Sequence, residues 1–209
     1  MMELFQRQVT LVKDRCLKKQ INFKGIAFLF IVIFFSKNLN SQELNSKINV
    51  YLEELLSFSS KFIQSDGASL EEGYLYIKDG LIRLDYTNPD RTLKINKEKG
   101  VYINHELKEE EFFSTKKNII KIFYDIFLKK NFFSSLSSKE SNNQIVFEKN
   151  IMIDSTNTNL KIFFETKPLL LRKIITKTEN DYISISFYDH NFNAFFEKDF
   201  FSFVPIYLD

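Results

Sequence analysis

The chain has 209 residues, 44% of them hydrophobic, with 24 Phe, 5 Gly, 3 Pro and no Trp; that length suits one domain plus an extension and can bury a sizeable core. A formal charge of +2 gives no nucleic-acid footprint, and it averages two unlike parts. Residues 1–41 carry Arg7, Lys13, Arg15, Lys18, Lys19, Lys24 and Lys37 against Glu3 and Asp14, so the rest of the chain is acidic on balance.

Lys18, Lys19 and Lys24 precede an uncharged run, Gly25 to Phe35. Its eleven residues are too few for a bilayer-spanning helix, which needs about 20, and fit the apolar region of a secretory signal, about 7–15. The expectation is a signal peptide over residues 1–41, cleaved after Ser41 with Leu39 and Ser41 at the recognised positions, and a single domain over 42–209. A short uncleaved anchor or a buried core helix are the other readings of the same run. Cys16, the single cysteine, precedes the run, whereas an acylated cysteine would follow it. The mature chain then has no thiol and no disulfide to gain from an oxidising compartment.

Leu44, Ile48, Tyr51, Leu52, Leu55 and Leu56 recur at helical spacing with Glu43, Lys47, Glu53 and Glu54 opposite, which predicts an amphipathic helix from Ser41 to Leu56. The period then drops to two: Phe58, Ser60, Phe62 and Gln64 alternate with Ser57, Ser59, Lys61 and Ile63, a strand ended by Ser65-Asp66-Gly67. Gly73 to Pro89 reads as a β-hairpin about which the chain is organised. Leu75 and Ile77 lead into Asp79-Gly80, and Ile82, Leu84 and Tyr86 continue one face while Leu81, Arg83 and Asp85 form the other.

Short strands are predicted at Thr92–Asn96 and Gly100–Asn104, and a further one at Glu106–Phe112. Ile119, Ile120, Phe123, Phe127 and Leu128 make a helical stripe within Thr115–Leu128, widened by Ile122 and Ile126. After a Ser-rich stretch to Asn143 the remainder reads as strands at Gln144–Lys149, Asn159–Lys167, Leu169–Thr178, Asp181–Tyr188 and Asn193–Phe203. No 20–50-residue repeat is visible.

Catalytic signatures are missing. His105 and His190 lie in separate segments and form no H-E-x-x-H; the glycines form no dinucleotide, phosphate-loop or nucleophile-elbow pattern. No metal-ligand spacing occurs, and Glu109-Glu110-Glu111 reads as a solvated acidic face. The expectation is a protein that is not an enzyme and needs no cofactor.

The order of elements, with the words Phe58…Phe62-Ile63-Gln64, Gly73-Tyr74-Leu75-Tyr76-Ile77-Lys78, Leu81-Ile82-Arg83-Leu84-Asp85-Tyr86…Pro89, Gly100-Val101-Tyr102-Ile103 and Phe201-Ser202-Phe203-Val204-Pro205, resembles the LolA family of periplasmic lipoprotein carriers over about residues 42–206. The resemblance implies a mainly β (α+β) fold, an unclosed antiparallel β-barrel with a helical lid over a hydrophobic cavity. It also implies a periplasmic chaperone that binds the acyl chains of lipoproteins released from the inner membrane and delivers them to the outer membrane. Acylated lipoproteins, an inner-membrane releasing transporter and an outer-membrane acceptor would be its partners, with no nucleic acid, and the carrier is expected to be a monomer. One departure stands out: the family commonly has Lys-Arg-Pro-Gly between the hairpin strands, and its Arg helps hold the lid. Here Lys78 is followed directly by Asp79-Gly80, so that Arg maps onto no position.

Acyl chains need apolar area and not directed hydrogen bonds. The residues expected to line the cavity are Phe58, Phe62, Leu75, Ile77, Ile82, Leu84, Tyr86, Leu93, Ile95, Val101 and Ile103, with Ile119, Phe123 and Phe127 from the lid; ordinary core packing is the alternative for each. Arg83 reads either as a contact to the helices or as a solvated strand residue paired with Asp85 or Glu71. A sensor or regulatory domain of the same fold, or an envelope carrier of free lipid, are the alternative functions.

Overall fold

The computed structural model describes residues 43–116, 119–153 and 155–207. The expected signal peptide and its cleavage site lie outside the described residues. The chain divides into two units, Met1–Leu44, described only at Glu43 and Leu44, and Asn45–Asp209, which holds the entire sheet.

A helix, α1, covers residues 43–54. It leads into β1 (Ser57–Ser65), β2 (Leu70–Lys78), β3 (Leu81–Thr87), β4 (Asp90–Ile95), β5 (Lys99–Asn104) and β6 (Glu109–Ser114). Then come α2 (Ile119–Leu128), a 3-10 turn (Phe132–Ser135), β7 (Ser137–Ser141), β8 (Gln144–Ile153), β9 (Thr156–Thr166), β10 (Leu169–Lys177) and β11 (Tyr182–Asn191). All eleven strands form one antiparallel sheet in the order β6-β5-β4-β3-β2-β1-β11-β10-β9-β8-β7. It is two meanders joined where β1 pairs with β11. The terminal strands β6 and β7 do not pair with each other, so the barrel is unclosed, as expected.

The organising hairpin forms as the sequence indicates. Lys78 pairs with Leu81, leaving a two-residue turn in which Asp79 (φ 48) and Gly80 (φ 80) both take positive φ. That is the type I′ geometry whose twist matches the flanking strands. Its partner strand explains Gly73: a Cβ there would stand 2.1 Å from the Asp85 carbonyl oxygen and 2.7 Å from the Phe62 ring. Phe62 lies across the bare backbone of its cross-strand partner, and the Tyr86 ring meets it edge-on at 5.1 Å.

Register then carries one apolar face across the sheet. Phe58 pairs with Ile77, Ile77 with Ile82 and Ile82 with Ile95. On the other side Phe62 pairs with Phe187, Ile185 with Ile174, Ile174 with Ile162 and Ile162 with Phe147. All of these but Ile185 are buried. This inner face receives α1 through buried Ile48 and Tyr51, with Leu55 just past its end, and α2 through Ile126 and Phe127.

Four elements differ from expectation. The last strand ends at Asn191, and Asn193–Phe203 is an irregular strap instead: its aromatics are drawn off the ladder, with Phe196 and Phe200 packing edge-on against Tyr76 of β2 at 5.8 and 4.9 Å. The strand expected at Glu106–Phe112 starts at Glu109, after a turn with Lys108 at φ 57. The Ser-rich stretch contains β7, wholly exposed and held by its ladder to β8 alone. Of the second helix, Ile119–Leu128 is described as helical; Thr115 is outside it, its hydroxyl donating to the Asn96 carbonyl at 3.1 Å.

Candidate functional site: the apolar interior and its mouth

Seven of the expected cavity residues, Phe58, Phe62, Leu75, Ile77, Ile82, Leu84 and Ile95, are buried on the inner face. Leu93 and Tyr86 share it, half-buried, as the partners of Leu84 and Arg91. Phe127 is buried against Phe187 at 5.8 Å, with Phe123 5.0 Å behind it.

Val101 and Ile103 do not belong with them. Val101 pairs with Lys94 and Ile103 with Thr92, residues of the outer face, so the inward positions of β5 are Gly100 and Tyr102. Val101 and Ile103 are buried all the same, because the strap covers that half of the outer face. Arg83 is corrected too. It contacts the strap and not the helices: Nη1 donates to the Phe200 carbonyl at 2.7 Å, Nε donates to Asp85 at 2.8 Å, and the guanidinium lies 4.2 Å from the Phe200 ring centre. Asp85 is thus its carboxylate partner, while Glu71 pairs with Arg91. Beside it Lys94, only 5% exposed, donates to the Ser202 carbonyl at 2.8 Å; burial, then the neighbouring Arg83 charge, lowers its pKa.

The two helices are anchored differently. α1 is pinned beside a bulge in β10, where Arg172 has no partner on β9. The Leu171 N–H donates to the buried Tyr51 hydroxyl at 3.2 Å, and the Leu171 carbonyl accepts from His190 Nε2 at 2.9 Å. Burial raises the Tyr51 pKa and lowers that of His190. His190 Nδ1 is buried with no partner among the described residues.

α2 is anchored lightly. Its sequence, IIKIFYDIFL, is apolar around nearly the whole circumference, interrupted by Lys121 and Asp125, which pair at 2.8 Å. A helix of that kind is normally enclosed, yet only Ile126 and Phe127 are buried. Beneath it runs an apolar crevice of about 40 Å3 lined by Ile119, Ile122, Phe123, Ile126, Leu160, Ile174 and Ile185. Ile119, Thr176 and Ile183 of that crevice also line an open groove of about 510 Å3, whose other walls mix Asp66, Thr156, Thr158 and Thr178 with Ala68, Ile153 and Tyr182.

The hairpin turn is tied to the chain that follows α1 and lies near α2. The Asp79 N–H donates to the Leu56 carbonyl, two residues past α1, at 3.4 Å. A Cβ at Gly80 would stand 3.9 Å from the Tyr124 hydroxyl of α2.

Half of the inner face is not singled out by the sequence reading: Phe147, Leu160, Ile162, Phe164, Ile174 and Phe187, with Phe133 closing over Phe147 and Phe164 at 4.9 and 5.5 Å. The even-numbered alternation of Leu160, Ile162 and Phe164 carries the signal. Among the described residues no group of His, Cys, Asp or Glu is placed to hold a metal ion, and no helix is long and apolar enough to cross a membrane.

No family model matches the chain, and no curated protein does. Solved structures do. An uncharacterized conserved protein from Thermus thermophilus superposes with a TM-score of 0.51 at 7% identity, over 77% of this chain and 92% of that one. A DUF1329 family protein from Desulfovibrio piger gives a TM-score of 0.46 at 6% identity, over 77% and 97%. The first shares the fold; neither is described with an activity.

Proposed function

We propose that the protein is a non-enzymatic carrier of lipoprotein acyl chains, as the resemblance to the LolA family implies, working in the periplasm between an inner-membrane releasing transporter and an outer-membrane acceptor. The observation that carries this reading is α2, a helix apolar on nearly every side that seals the interior with only two buried residues. Such a helix is poorly matched to permanent exposure and poorly fixed for permanent burial. It suits a lid whose underside meets protein in one state and acyl chain in the other.

The energetics are those of a bilayer substitute. Each buried CH2 of an acyl chain contributes roughly 0.8 kcal/mol, so cargo cannot cross water unescorted. A crevice of about 40 Å3 is far smaller than a chain, since ligand pockets run to about 300–1,000 Å3. Loading therefore requires α2 to lift from Leu160, Ile174 and Ile185, while α1, held by Tyr51 at Leu171, stays. The Thr-rich groove outside Ile119 and Ile183 is where the polar end of the cargo would rest. The sequence carries no phosphate-loop motif, so loading draws its energy from the partner and unloading runs downhill.

The test is to purify the chain from its source and identify bound molecules by native mass spectrometry. Diacylated or triacylated lipoprotein at unit stoichiometry is the expected result. Free phospholipid alone would make it a lipid carrier, and no lipid at all would leave the interior as ordinary core.

A further inference from the structure

The two open edges of the sheet are not alike. β7 is short, has no apolar residue, mixes Lys139 with Glu140 and is exposed throughout, the usual devices for keeping an edge unpaired. β6 is almost as short and carries three glutamates, but it has no Lys and it exposes an aromatic ring. Its residues are Glu109-Glu110-Glu111-Phe112-Phe113-Ser114, Phe112 is 49% exposed, and no described strand pairs with its outer side. Beside it lies an open groove of about 560 Å3 lined by Tyr102, Asn104, Glu109, Glu111, Phe112 and Pro205, among others. We propose that β6 accepts one further β-strand, an extended segment of a partner protein in which apolar residues alternate with Lys or Arg.

The groove wall is built, not incidental. The Glu110 carboxylate accepts the backbone N–H groups of Ile206 and Tyr207 at 2.6 and 3.1 Å, and the Tyr207 hydroxyl reaches His105 Nδ1 at 3.0 Å. The residues that follow the strap are thereby fixed alongside β6, with Pro205 and Tyr207 on the groove wall. Glu109 and Glu111 form no ion pair among the described residues.

Register dictates the pattern of the occupant. Phe112 pairs with Val101 and Glu110 with Ile103, so these two face the strap. Glu111 pairs with Tyr102 and Glu109 with Asn104, so they face the other way. Side chains of an added strand alternate in the same sense. Those on the strap face meet Phe112 and the Pro205 ring beside it and must be apolar; those on the opposite face meet Glu109 and Glu111 and must be basic. Main-chain hydrogen bonds to the edge supply affinity, and the alternation supplies specificity. A second copy is a poor occupant, because two β6 strands side by side would set glutamates against glutamates. This site is independent of what fills the interior.

The experiment titrates the full chain with three labelled peptides and follows fluorescence anisotropy: alternating Val and Lys, alternating Val and Glu, and a Val/Lys peptide of equal composition with the residues in two blocks. Amide hydrogen exchange is followed at β6. Saturable binding of the alternating Val/Lys peptide is expected, weaker by about tenfold or more for the blocked peptide and for Glu109→Lys with Glu111→Lys, with slowed exchange of β6 amides. Both glutamates are exposed, and thermal melting checks that the variant is folded; if it is not, the comparison of peptide order on the unmodified chain decides. Equal affinity for both Val/Lys peptides, protection confined to other strands, or no saturable binding would each overturn the proposal.

Discussion

Single residues separate the inner face from the outer one. Leu84 is buried between Leu75 and Leu93, and Leu81, three residues earlier on the same strand, is half-exposed on the other side. Leu84→Ala should cost about 2–5 kcal/mol, through lost transfer energy and the cavity left behind; Leu81→Ala should cost about 1 kcal/mol or less. Urea denaturation of the two variants checks the difference. His190 offers a pH test. Its folded-state pKa is lowered, first by burial, with the Arg172 charge adding to it and the Leu171 carbonyl, Asp189 and Glu165 opposing. The folded state therefore disfavours the imidazolium. The neutral ring's contribution is fully present above the ordinary histidine value of 6.5 and is lost as pH falls below it, because the unfolded chain takes up the proton first. His190→Phe should flatten the fall in melting temperature on acidification from neutral pH, measured by thermal circular dichroism.

At the scale of elements, the strap and the lid are the parts whose roles are hardest to read from sequence. Alternation shows which residues share a face, but it does not say which face is inward when both are apolar. β5 is such a strand. Val101 and Ile103 look like cavity residues because both are aliphatic; Gly100 and Tyr102 point inward, and the strap supplies the cover that buries the aliphatic pair. The strap itself reads as a strand because Asn193–Phe203 is rich in aromatics, and nothing local reveals that Arg83 and Lys94 hold its carbonyls. Arg83→Ala with Lys94→Met leaves the Phe200 and Ser202 carbonyls without those donors. Chymotryptic cleavage within residues 192–203 should then accelerate by about tenfold, the scale expected when local opening becomes easier by about 1.4 kcal/mol. Arg83→Lys should not restore protection, since an ammonium cannot bridge Asp85 and Phe200 while stacking on the ring. The hairpin, by contrast, is legible to the residue: Asp79-Gly80 permits only a tight turn of positive φ, and that turn fixes register for every inward residue from Leu75 to Tyr86.

For the whole molecule, the antiparallel architecture follows from period-two alternation, and the helical cover from two stretches of helical spacing. The joining of two meanders at β1 and β11 does not, because pairing partners so distant in sequence leave no local pattern. The proposed function requires α2 to be a lid over an interior that receives acyl chains. The chain contains no Trp, so Phe123→Trp places a single reporter on the underside of α2, beside Phe127. Titration with a synthetic lipopeptide brominated along its acyl chain should quench that fluorescence saturably, at one lipopeptide per chain. A matching peptide without acyl chains should leave it unchanged. Quenching that never saturates, or fluorescence indifferent to the brominated chain while the variant stays folded, would contradict that role for α2 and the interior.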